Sequence, residues 1–217
     1  MFRIAVVLTA TCLAAALAPR SAVADPHTEQ VIVRAYDTFG VTPRELVAAR
    51  VTSRAILSAA SIEIVWRDCG PDPVGPGIET CDGTLLPREL IVRIIAAPAQ
   101  AAPFSLGYSL VDVQQKRGWL ATIYANRVAF MARHASIDMG VLLGRAIAHE
   151  LCHLLSGAIE HSSRGLMRAR WDARELERDR RIDWLLLPDE AAEMRRGLLD
   201  RGRPDRAPAA LLAAKGY

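Results

Sequence analysis

Residues 139–157, MGVLLGRAIAHELCHLLSG, carry two histidines four positions apart inside a strongly apolar stretch of helical period. Val141, Leu142, Ile147, Leu151, Leu154 and Leu155 recur at the spacing of a buried helix, and Gly157 is placed to end it as a C-cap. On such a helix His149 and His153 point the same way, about one turn apart. A helix that buries its apolar faces against a core still has to satisfy these ring nitrogens. A metal does so, because four-residue spacing suits two zinc ligands with Zn–N of about 2.0–2.1 Å. Glu150 stands beside the first histidine, where it reaches a water activated by the metal rather than the metal itself.

A catalytic zinc takes a third protein ligand and keeps a fourth position open. The candidates are His161, Glu160 and a glutamate of the following helix, Glu175 or Glu177. His161 is favoured, because Gly157 lets the chain reverse over the metal. Cys152 sits inside the same motif. It is expected to be a small buried residue; as a fourth ligand it would close the open position and stop hydrolysis.

The rest of the chain predicts a frame for this helix. VIVRAYDTFG (31–40) alternates like a strand, and Thr42-Pro43-Arg44-Glu45 opens a helix running to about Ala60. IEIVWRDC and ELIVRIIAAP are two further strands. FSLGYSLVDV is an irregular strand, and GWLATIYANRVAFMARH begins as a strand and turns helical near Asn126. Asp172 caps a helix written as ARELERDRRIDWLL, and Pro188 opens another. The fold class is α/β (α+β): a mixed twisted sheet with the histidine-bearing helix packed against it and a helical C-terminal part.

The N-terminus predicts export. Arg3 precedes an uncharged apolar run from Ile4 to Ala18, and Ala22-Val23-Ala24 is an A-x-A cleavage site. Residues 1–24 are therefore expected to be a signal peptide, 25–202 one catalytic domain, and 203–217 a flexible tail. The exported chain is expected to be periplasmic or secreted, with no stable membrane anchor. Cysteine usage fits that compartment. Cys69 and Cys81 bracket CGPDPVGPGIETC, a loop of Pro, Gly and Asp, and a disulfide closing it stabilises by about 3 kcal/mol in the chain-entropy model. Loss of Arg3 and Arg20 with the leader takes the formal charge from +3 to +1, which gives no argument for nucleic-acid binding.

The stretch resembles the metzincin class of zinc metallopeptidases, which carry HExxHxxGxxH followed by a Met-turn beneath the metal. His149, Glu150 and His153 match the first part, His161 would be the third ligand, and Met167 in GLM would be the Met-turn. Gly157 falls one residue later than the class pattern and His161 two residues later. The chain is also similar to exported bacterial proteins with HELGHLLLG…H…G-[IL]-M-R-x-x-W; here these residues read HELCHLLSG, His161 and GLMRARW, with Cys152 in place of glycine. The resemblance implies a zincin-like fold, one catalytic Zn2+ and a peptide or protein substrate laid along an edge strand. LATIYANR is the candidate for that strand, and Tyr124 at its end would contact a substrate carbonyl; as a plain strand residue it would only pack. The expected function is a zinc-dependent metallopeptidase with Glu150 as general base. The alternatives are a secreted module whose zinc only braces the fold, and a gluzincin-like peptidase with Glu175 as third ligand.

Overall fold

The computed structural model describes residues 28–70 and 81–203. The expected signal peptide, most of the loop between the two cysteines and most of the expected tail lie outside the described residues. Five strands form one sheet in the order β2-β1-β3-β5-β4. They are β1 (Glu29–Asp37), β2 (Ile62–Asp68), β3 (Glu89–Ile95), β4 (Gly107–Asp112) and β5 (Arg117–Tyr124). Neighbours are parallel except β4, which runs antiparallel to β5 at one edge. The helices are α1 (Pro43–Ser58), α2 (Ala125–His134), α3 (Met139–Ser156), α4 (Ala173–Arg178) and α5 (Pro188–Arg201). This is the expected mixed α/β architecture.

Alternation along the strands turns one set of side chains to a common face. Val31, Val33, Leu90, Val92, Ile94, Ala121 and Ile123 are at most 2% exposed. They join Leu142, Leu143, Ile147, Leu151 and Leu154 of α3 in one core. Helix α3 is apolar on nearly every side, as befits a helix enclosed by protein, and it packs against α1, α5, β4 and β5. Asp138 caps its first turn by accepting from the Val141 amide at 3.1 Å. Gly157 ends it in the left-handed region, φ 67°.

Two contacts set how closely α3 can approach α1. A Cβ on Gly140 would lie 2.5 Å from the Glu45 carbonyl oxygen, and one on Gly144 2.5 Å from that of Ala49. The two backbones therefore touch where no side chain fits, and this close crossing holds α3 at a fixed depth beneath the sheet edge.

Two sequence expectations are corrected. LATIYANR is not an edge strand: β5 is paired on both sides, to β3 and to β4, and the edge belongs to β4. ARELERDRRIDWLL is not one helix. Asp179 takes a left-handed conformation, φ 43°, which ends α4, and a single 3-10 turn follows at Arg181–Trp184. Tertiary contacts override helix propensity here. Asp179 pairs with Arg145 of α3, and Trp184 is buried under the same Arg145, whose guanidinium carbon lies 4.0 Å from the ring centre.

Cys69 and Cys81 form the expected disulfide, with Cα atoms 5.7 Å apart. Just beyond it the returning chain is held by Arg34, which donates to the carbonyl oxygens of Cys81 and Gly83 at 3.0 and 2.7 Å. Arg34 also pairs with Glu89, which is fully buried and receives Arg67 at 2.9 Å on its other oxygen.

The α1–α3 crossing gives a test. Gly144→Ala should lower unfolding free energy by about 1–3 kcal/mol, the range for overpacking a tight contact. Gly83→Ala, where an added Cβ meets nothing within 4 Å, should change it by less than about 0.5 kcal/mol. Urea unfolding of both variants measures the difference; equal effects would contradict the close crossing.

Candidate metal centre

His149 and Glu150 on one turn and His153 on the next lie in the buried half of α3 and are each no more than 8% exposed. Beyond Gly157 the chain reverses and returns His161 to the same point. The Nε2 atoms of His149 and His153 are 3.1 Å apart, and each lies 3.3 Å from Nε2 of His161. Among the described residues this is the group of three or more metal-ligating side chains that converges on one centre. The later positions of Gly157 and His161 are absorbed locally. The helix runs on to Ser156, and the Gly157 amide bonds back to His153 O at 3.0 Å. Ala158 then offers its carbonyl oxygen to the His153 ring.

Proton positions follow from the partners. Nδ1 of His149 donates to Leu166 O at 3.1 Å, and Nδ1 of His153 donates to Ala158 O at 2.8 Å. A carbonyl oxygen can only accept, so both Nδ1 atoms carry hydrogen, and in the neutral ring each Nε2 is a bare lone pair. Burial, and then the neighbouring His153, depress the His149 pKa to about 3. Burial also depresses that of His153. Two neutral rings thus face each other lone pair to lone pair at 3.1 Å, with no proton to bridge them. A cation between the three nitrogens resolves the repulsion. Tetrahedral zinc with Zn–N of about 2.05 Å separates its nitrogen ligands by about 3.3 Å, so the cluster fits zinc. Nδ1–carbonyl bonds of this kind also fix the tautomer and ring orientation that a metal requires.

The turn carrying Met167 braces the His149 ring. Gly165 adopts φ 75°, and a Cβ there would stand 2.7 Å from Leu185 O. The turn aims Leu166 O at His149 and also receives the Trp171 indole N–H at 3.2 Å. The Trp171 ring stands edge-on to His149, with centroids 5.7 Å apart. Met167 is 3% exposed, and its carbonyl oxygen accepts from the Ser162 amide at 2.8 Å, tying the turn to the segment just after His161.

Glu150 does not join the nitrogen cluster. Its Oε2 accepts from Ser109 Oγ at 2.7 Å, and burial raises its pKa to about 7 against the opposing pull of that hydrogen bond. Glu175 is engaged elsewhere: it caps α4 by accepting from the Asp172 amide at 3.2 Å and lies 3.4 Å from Arg168. Glu160 accepts from the Ile159 amide at 3.1 Å, and Glu177 is exposed on α4. Cys152 is a free, buried thiol whose pKa is pushed up by burial and by the carboxylates of Glu190 and Glu193, so it stays protonated and packs in the core. Tyr124 is 6% exposed. It packs near Tyr108, with ring centres 6.1 Å apart, and under Arg127. It does not line the cleft over the histidines.

That cleft, of about 570 Å3, opens between β4 and the segment from Arg168 to Trp171, with Phe104, Leu106 and Ile159 on its apolar walls. A second cavity of about 920 Å3 lies beyond His153 and His161, toward Glu190 and Glu193 of α5. Sequence reasoning gave no role to Trp171 or Ser109. Trp171 stood in the quoted motif; Ser109 carried no local signal.

The fold and the helix-borne histidines together define a zincin-like architecture. The crystal structure of archaemetzincin from Methanopyrus kandleri matches with a TM-score of 0.51 over 82% of this chain and 99% of that one, at 14% sequence identity. That likeness is one of fold. No family model matches the sequence, and no curated protein does. Among the described residues no helix is long and apolar enough to cross a membrane.

The two candidate third ligands separate cleanly. His161→Ala should weaken zinc binding at least tenfold in chelator competition, whereas Glu175→Ala should leave it within about threefold. The opposite ranking would remove His161 from the ligand set.

Proposed function

We propose that the chain is an exported zinc-dependent metallopeptidase in which His149, His153 and His161 hold one zinc ion and Glu150 is the general base. The observation that carries this reading is the convergence of three Nε2 atoms, two of them left without a proton because Nδ1 of the same ring donates to a backbone carbonyl, in a cleft that Glu150 also lines. Three protein ligands suit a site that keeps a position for reaction, where a structural site uses four. When bound, zinc supplies Lewis-acid activation of water and of the substrate carbonyl.

The protein's own groups then divide the work. Glu150, ionised and held one residue from the first ligand, takes the proton released by water and passes it to the departing amine. Burial suits this task, because a carboxylate whose proton affinity is raised toward neutrality can both accept and return a proton. Among the described residues β4 is the edge of the sheet and lines the cleft, so an extended peptide can add to its outer side as a further strand. The apolar walls exclude water around the bond to be cut. The disulfide supports an oxidising compartment.

Glu150→Gln tests the reading. It preserves shape and removes the base, so zinc content should remain at one per chain while peptide turnover falls by about a hundredfold or more, within the usual worth of a general base. Full turnover in Glu150→Gln, measured with a quenched-fluorescence peptide library, would contradict the assignment.

A further inference from the structure

We propose that Ser109 is the positioning residue for Glu150, fixing where its carboxylate stands relative to the three histidine nitrogens. The inference rests on the reading of Glu150 as general base. Ser109 Oγ lies 2.7 Å from Glu150 Oε2 and 2.9 Å from the Glu150 backbone oxygen. A hydroxyl has one proton and two lone pairs, so it cannot donate to both acceptors at once. It stands within hydrogen-bond reach of both, and so ties the Glu150 carboxylate to the backbone of its own helical turn.

The strand makes the clamp rigid. Ser109 lies opposite Ala121 of β5 in the sheet. Two residues earlier on β4, and therefore on the same face, stands Gly107. An added Cβ there would come within 3.3 Å of Glu150 Oε1 and 2.5 Å of Thr122 O. One carboxylate oxygen thus lies over Gly107 while the other bonds Ser109. The base is cradled by the same edge strand that offers its backbone to substrate.

Ser109→Ala, Ser109→Thr and Glu150→Gln, each loaded with zinc, give the test. Ser109→Ala should lower kcat about ten- to a hundredfold, the scale of one hydrogen bond to a charged group. KM should stay within twofold, and zinc affinity and Tm should be close to wild type. Ser109→Thr, which keeps the hydroxyl, should recover most of kcat. Crystals of zinc-free Ser109→Ala should show the Glu150 carboxylate displaced or in more than one rotamer. An unchanged kcat in Ser109→Ala, with Glu150→Gln inactive, overturns the role of Ser109 alone. Equal losses in the alanine and threonine variants, with Glu150 unmoved in the crystal, assign Ser109 to packing and also overturn it. An active Glu150→Gln variant overturns the reading of Glu150 first.

Discussion

Two hydrogen bonds to backbone carbonyls decide the character of this protein. Leu166 O and Ala158 O each take the Nδ1 proton of a buried histidine, and in doing so turn both Nε2 lone pairs inward. Buried polar groups are normally paired. Here the pairing is completed on one nitrogen of each ring and left open on the other, and the open nitrogens meet at 3.1 Å. A cation gives this arrangement a reason. The carbonyls come from opposite sides of the site, one from the exit of α3 and one from the turn around Met167. The chain downstream of the helix therefore orients the rings that the helix supplies.

The fold delivers these parts to one place by burying α3 almost completely. Its crossing with α1 is as close as two backbones allow, because glycines stand at the contact. Its far end stops at a left-handed Gly157, from which His161 returns to the other two histidines. Near the same end, β4 lays Gly107 and Ser109 against Glu150. The histidines are thus held by helix and loop, while Glu150 is held by helix and sheet edge. Separate supports of this kind let the histidine cluster and the carboxylate be placed independently, which suits the proposed hydrolytic role.

What the sequence made legible was local. Four-residue spacing put His149 and His153 on one face, an apolar period defined α3, and Gly157 marked its end. The capping pattern at Thr42 and Glu45 placed α1, and the Pro/Gly-rich segment between Cys69 and Cys81 pointed to the disulfide. What remained hidden depended on residues distant in sequence. Which strand forms the edge is a matter of sheet order, and alternation in LATIYANR is the same for an edge strand as for an interior one. The break at Asp179 comes from Arg145 and Trp184 rather than from any weakness in ARELERDRRIDWLL. Ser109 lies 41 residues from Glu150 in a strand of unremarkable composition, so no motif could mark it. His161 was reachable only as one of several candidates, since loop length does not fix direction.

The zinc coordination shell is the most direct test of this account. X-ray absorption at the zinc edge, together with anomalous diffraction from crystals of the zinc-loaded protein, reports the number and type of atoms bound. The expected result is one zinc ion per chain with three imidazole nitrogens, from His149, His153 and His161, at about 2.0–2.1 Å and a solvent oxygen completing the shell. A sulfur neighbour at about 2.3 Å from Cys152, or a fourth protein ligand of any kind, would contradict it.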